Sequence, residues 1–268
     1  MLRRQSLSII LGGLAGRADG ARKLDRFFDS GSGYAMLLDV PGRRVVARTV
    51  TVNRPAPPGS TLKPFVLSAL LKLGRLRTGE SYVCPGRLRI GRRTFDCSHP
   101  EIITPMQIET ALAYSCNCFV AHLAERFAPG ELGPLLAEAG FSTARNQRAA
   151  EAQRLQALGE DGTMVTAEEM VHAYANLATG VAKPIHTGLE GAAEYGTGQR
   201  AQQSDVKVAG KTGSSRTVKG DFVAWFAGFM PSGAPEVAIA VMLRGRSGGA
   251  DAAPVAGRIL EAYRAGRL

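Results

Sequence analysis

Pro57-Pro58-Gly59-Ser60-Thr61-Leu62-Lys63-Pro64-Phe65-Val66 is the stretch on which this chain turns. Pro57-Pro58-Gly59 closes one segment. Thr61 to Leu73 then reads as a helix, because Leu62, Phe65, Val66, Ala69, Leu70 and Leu73 recur at helical spacing. Ser60 falls at the helix start, and Gly74 is placed to end it. Pro64 lies in or beside the first turn, where backbone donors lack intrahelical partners in any case. Lys63 shares the face of Ser60, one turn on. A hydroxyl beside an amine suits a nucleophile and its base. The plainer alternative is a serine N-cap followed by a solvated lysine.

Two further clusters decide between these. Ser115-Cys116-Asn117 and Lys211-Thr212-Gly213 follow in that order. With 15 serines and 7 lysines among 268 residues, a Ser-x-x-Lys arises by chance with an expectation of about 0.4, whereas the three clusters together fall to roughly 0.004. Ser204-Asp205-Val206-Lys207 is such a chance match and has no helix after it. The basic residues are 26 Arg and only 7 Lys, so plain positive charge is supplied by Arg, and two of the few lysines stand in the clusters. Lys, unlike Arg, can act as a base once burial or a neighbouring cation makes it neutral. Lowering its pKa from about 10.4 to near 7 needs roughly 4 kcal/mol, against about 1 from a helix dipole. Burial and Lys211 are therefore expected to supply most of it.

These clusters resemble the penicillin-binding protein transpeptidases, whose fold is shared with the serine β-lactamases, over about residues 30 to 265. The resemblance extends to Ala113-Tyr114-Ser115-Cys116-Asn117-Cys118-Phe119, Val165-Thr166, Ala173-Tyr174-Ala175-Asn176-Leu177-Ala178 and Ala224-Trp225-Phe226-Ala227-Gly228-Phe229. The transpeptidase-only, class B type is the nearest look-alike. It implies a serine acyltransferase that acts on D-Ala-D-Ala stem peptides of peptidoglycan through an acyl-enzyme on Ser60. Lys63 would be the base, Ser115 would pass a proton to the departing D-Ala, and Asn117 would orient Lys63 and the substrate amide. Lys211, Thr212 and Ser215 would hold the terminal carboxylate. Backbone N–H groups of Ser60 and Ser214 would face the oxyanion, and Gly213 would let the strand approach the substrate closely. The resemblance further implies β-lactams as ligands, other cell-wall synthesis or remodelling proteins as partners, and a place in the cell envelope or periplasm. A Glu-x-x-Leu-Asn segment of class A β-lactamases is absent, and the second cluster lacks the Ser-x-Val of class D enzymes and sensors. Alternatives kept open are a carboxypeptidase, a β-lactamase or β-lactam sensor, and a weakly active scaffold module of a cell-wall complex.

Tyr34 to Val40 reads as a buried strand, Pro41-Gly42-Arg43 as a turn, and Arg44 to Val52 as its hairpin partner. Strand patterns return at Val206 to Ser215, Phe222 to Met230 and Val237 to Leu243, and a helix over about Ala252 to Ala265 closes the chain. The pattern predicts an α/β (α+β) fold. Its antiparallel five-stranded sheet is covered by helices and carries an inserted all-helical subdomain over about residues 60–200, with the site at the seam. Thr104-Pro105 reads as a helix opening, and Thr166-Ala167-Glu168-Glu169 as a capping box. Residues 143–160 lack clear turn signals, so helix and loop both stay open. One domain over residues 21–268 fits the length and 45% apolar content. Residues 1–20, with Arg3-Arg4 before a short apolar stretch, suit either a secretory signal or an ordinary first helix. Net charge +10 reads as a solvated face, because its Arg residues are dispersed and rarely interleaved with aromatics, and nucleic acid is not expected as a partner.

Cys84 and Cys97 flank a twelve-residue segment that looks like a hairpin. A disulfide between them, free thiols, and a zinc set of Cys84, Cys97 and His99 with Cys116 or Cys118 all stay open, although the spacing matches no standard zinc pattern. Some class B relatives carry zinc between the first two clusters. The expectation is no cofactor and no resident metal. His99, His122, His172 and His186 otherwise read as surface or core residues.

Overall fold

The computed structural model describes residues 24–29 and 33–268, so the expectation for residues 1–20 lies outside the described residues. Strand β1 (Gly33–Asp39) is apolar at almost every position because both faces of the sheet are covered. Tyr34, Met36 and Leu38 point to one core, and Ala35 and Leu37 to another. Strand β2 (Val45–Arg48) pairs antiparallel with β1. It is shorter than expected: the Val50 N–H turns to the Asp25 carboxylate, and Val50 and Val52 are exposed.

Three C-terminal strands complete the sheet: β5 (Ala209–Arg216), β6 (Phe222–Met230) and β7 (Val237–Arg244). The order is β2-β1-β7-β6-β5, and the sheet is five-stranded and antiparallel throughout, the last two features being those the sequence predicts. Between the two halves lie α1 (Lys63–Lys72), a hairpin of β3 (Arg87–Ile90) and β4 (Arg93–Asp96), then α2 (Ile108–Ala113) and α3 (Asn117–Ala124). α4 (Leu132–Glu138), α5 (Ala150–Ala157), α6 (Ala167–Gly180) and α7 (Lys183–Glu194) follow. The insertion is thus mostly helical but carries its own two-stranded sheet. α6 packs across β1, β6 and β7 on one face, and α8 (Ala253–Arg264) covers the other. Among the described residues no helix is long and apolar enough to cross a membrane.

Thr166 caps α6 reciprocally with Glu169, as its sequence predicts. Thr104-Pro105 does not open a helix. Thr104 is extended, as a residue before proline is driven to be, and Met106 bridges to Tyr82. α2 therefore starts only after Gln107, which shares a capping box with Thr110. The unassigned segment divides into irregular chain over 143–149 and the helix α5.

Candidate active site

Ser60 lies in a 3-10 turn, Gly59–Leu62, that feeds directly into α1 at Lys63. This turn is held from several sides. The Pro57 carbonyl accepts from Ser215 Oγ (2.7 Å) and Trp225 Nε1 (2.9 Å), the Pro58 carbonyl accepts from Thr61 Oγ1 (2.7 Å), and the Thr61 carbonyl accepts from Tyr174 Oη (2.9 Å). β5 and the turn meet backbone to backbone. A Cβ on Gly213 would lie 2.5 Å from the Pro58 oxygen, and one on Gly59, at φ +54°, would lie 2.7 Å from the Ser214 oxygen. Gly213 therefore makes room for the nucleophile turn.

The second cluster is a helix-to-helix junction. At the end of α2, Cys116 N–H donates to Ala111 O (2.8 Å) and Ser115 N–H to Leu112 O (3.3 Å). This is a Schellman end with Ser115 at the left-handed position that glycine usually fills, at φ +61°. Cys116 then caps α3, its sulfur accepting the Phe119 N–H at 3.4 Å. The junction turns three oxygens toward one amine. Lys63 Nζ donates to Ser115 O (2.7 Å), Asn117 Oδ1 (2.7 Å) and Ser115 Oγ (3.3 Å). Full burial pushes the Lys63 pKa down to about 8, against an upward pull from Cys116, Cys97, Glu160 and Cys118. Burial is thus the cause, while the share expected from Lys211 is not found at Lys63. The repulsion between the two lysines appears at Lys211, whose pKa is driven well below the ordinary value by burial and then by Lys63.

Ser60, Ser115, Asn117, Thr212 and Ser214 share one cleft of about 630 Å³. The alternation along β5 sorts the predicted carboxylate-binding residues. Thr212 and Ser214 line the cleft, whereas Ser215, turned to Pro57, does not. Lys211 is buried, with Nζ on the Thr212 carbonyl at 3.2 Å. It is not among the residues that form the cleft wall. Arg200, Thr197 and Ser247 stand on the same wall, and Thr212 Oγ1 donates to Thr197 Oγ1 at 2.7 Å. Sequence reasoning missed these residues because no motif marks them, and it missed Glu160, also on the wall, because its segment could not be assigned. The chance match behaves as one: Ser204 bonds Asp205, and Lys207 pairs with Glu194 at the surface.

All four cysteines are free, so the Cys84–Cys97 disulfide is not formed. Both thiols turn instead toward the start of α3. Cys84 Sγ lies 3.5 Å from Cys116 Sγ and 3.2 Å from His99 Nε2, and Cys97 Sγ lies 3.8 Å from Cys116 Sγ. The four ligand atoms fall within 4.8 Å of one another. Tetrahedral zinc with bonds of about 2.3 Å to sulfur would separate its sulfurs by about 3.8 Å, so the residues fit such an ion. Cys118, 3.6 Å from Cys97, lies outside the set. Without a cation the thiols compete: the hydrogen bonds that Cys97 shares with Cys116 and Cys118 push its thiol down, and the same contacts together with burial push the thiols of Cys116 and Cys118 up.

The family model described as the penicillin binding protein transpeptidase domain matches residues 33–261. Among solved structures, the fold is similar to that of Pseudomonas aeruginosa PBP2 in complex with WCK 5153. The TM-score is 0.76 at 18% identity, over 91% of this chain and 73% of that one.

Proposed function

Because the chain belongs to the penicillin-binding protein transpeptidase family, we propose that it cross-links D-Ala-D-Ala stem peptides of peptidoglycan through an acyl-enzyme on Ser60. The observation that carries this is the grip of Ser115 and Asn117, which line the cleft together with Ser60, on a fully buried Lys63 amine one helical turn from Ser60. Neutral Lys63 takes the proton of Ser60 as the hydroxyl oxygen bonds to the penultimate D-Ala carbonyl carbon. The C–N bond breaks, and the proton passes through Ser115 to the leaving D-Ala nitrogen. Asn117 fixes the amine, and Thr212, Ser214 and Arg200 receive the terminal carboxylate. The oxyanion forms against the backbone N–H groups of Ser60 and Ser214, where losing one donor costs about 3 kcal/mol. Attack by an amine of a second stem then completes the cross-link.

Cys84, Cys97, His99 and Cys116 would hold one zinc ion as a structural tie, its charge stabilising the thiolates. Since Cys116 is the middle residue of Ser115-Cys116-Asn117, that tie fastens the β3–β4 hairpin to the junction that grips Lys63. The same reading places the protein in the cell envelope, with β-lactams as ligands of Ser60 and cell-wall proteins as partners.

Mass spectrometry of products from a defined stem peptide, with and without an added amine acceptor, tests the reaction. A new amide to the acceptor with release of D-Ala is expected; release of D-Ala without the amide would make the protein a carboxypeptidase.

A further inference from the structure

Glu160 stands on the cleft wall with Ser60, and the reaction as written gives it no task. Its placement is built by the backbone. α5 ends in a Schellman motif in which Gly159, at φ +71°, donates to Gln156 O (2.9 Å) and Glu160 donates to Leu155 O (3.0 Å). The Gly159 carbonyl then accepts the Gly59 N–H at 2.9 Å, and a Cβ at 159 would lie 2.2 Å from the Gly59 oxygen. The helix end and the nucleophile turn are in backbone contact. The residue after that contact is Ser60 on one segment and Glu160 on the other.

The carboxylate is mostly buried, with its side chain 21% exposed. Burial raises its pKa, while Arg93, Lys63 and Arg216 hold it down. Arg93 is a loose partner, 3.6 Å from Oε2 and half exposed, so water screens that pair. The cleft lining carries groups of both kinds. Thr212, Ser214 and Arg200 offer donors that suit a carboxylate, and Glu160 offers an acceptor where the α5 end meets the Ser60 turn.

A cross-linking transfer needs a second substrate, an amine, which is a cation at neutral pH and cannot attack until it loses a proton. We propose that Glu160 receives the ammonium group of the acceptor strand and takes its surplus proton. This rests on Ser60 being the acylated residue. The neutral amine then bonds to the ester carbonyl carbon as the bond from that carbon to Ser60 Oγ breaks. One amine proton passes through Lys63 to Ser60 Oγ, and the surplus proton leaves Glu160 for water at the cleft mouth. An uncharged nucleophile gains nothing from Glu160.

The test uses the full chain, acylated by a thioester analogue of the donor, and compares two nucleophiles: a lysine-bearing dipeptide and hydroxylamine, the latter largely uncharged at about pH 7.5. For Glu160→Gln, the yield of dipeptide adduct relative to hydrolysis should fall about tenfold, as expected for loss of a charge-assisted contact, with the hydroxylamine yield changed less than about twofold. Glu160→Asp should fall between. Arg93→Gln, which removes the competing cation, should raise the dipeptide yield; a merely structural ion pair would make the Arg93 and Glu160 variants fall together and would overturn the proposal. So would an equal drop for water, hydroxylamine and dipeptide, the mark of a general base, or no change for any of them. Loss of penicillin labelling in Glu160→Gln with unchanged melting would likewise refute it by placing Glu160 in acylation. Failure of the underlying reading looks different: the unaltered chain itself would carry no adduct on Ser60.

Discussion

Acylation of Ser60 should switch on with the deprotonation of Lys63, at about pH 8, because burial strips that amine of solvent and lowers its pKa to about 8. At pH 7 about one amine in ten is then neutral, against about one in three thousand for an amine left near 10.5. Burial thus makes the base about 300-fold more available. The sign follows from the charged form being the inactive one. Labelling by a fluorescent penicillin, followed as a pseudo-first-order rate between about pH 5.5 and 9.5, should rise about tenfold per pH unit below about 7 and level off above about 8. Glu160 pulls the amine pKa up, so Glu160→Gln should move the inflection to lower pH. Lys63→Arg keeps the charge, cannot serve as base, and should lose labelling at every pH. A rate flat from pH 6 to 9, or one still climbing past pH 10, would refute the reasoning that burial prepares Lys63 as the base.

Ser115→Gly should separate stability from activity: it relieves a non-glycine residue at φ +61°, gaining up to about 1 kcal/mol in thermal unfolding, while the lost Oγ slows acylation. Unfolding at markedly lower temperature would show that the left-handed position is not strained. Tyr174→Phe leaves the buried Thr61 carbonyl without its donor and should cost about 1–3 kcal/mol, with slower labelling because that carbonyl belongs to the nucleophile turn. The chain purified without chelator should carry about one zinc by elemental analysis, a content that Cys116→Ser lowers sharply together with penicillin labelling. Zinc-free protein with four fast-reacting thiols would end the metal assignment.

The strands were legible because the sheet is buried on both faces, so β1, β6 and β7 read as apolar runs between Gly and Pro turns, and α6 announced itself through Thr166 and Glu169. Ser60 with Lys63 and Ser115 with Asn117 could be singled out because each pair falls within a cluster of three or four residues, whereas their meeting around one amine is the work of the fold. Strand alternation could also have shown that Ser214, not Ser215, shares the face of Thr212. The helix expected at Thr104-Pro105 failed because a tertiary bridge from Met106 to Tyr82 outweighs local propensity. The thiol and imidazole cluster draws on segments around 84, 97–99 and 116, and only their packing brings those atoms together. Arg200 and Glu160 reach the cleft through a 3-10 turn and a helix end that carry no motif.

The central claim is that Ser60 becomes covalently acylated with Lys63 as its base. Intact-mass and peptide mass spectrometry after exposure to benzylpenicillin tests it most directly. The account predicts one adduct per chain, on the peptide that contains Ser60 and absent from Ser60→Ala. An adduct on another residue, or none on a chain whose melting shows it folded, would contradict it.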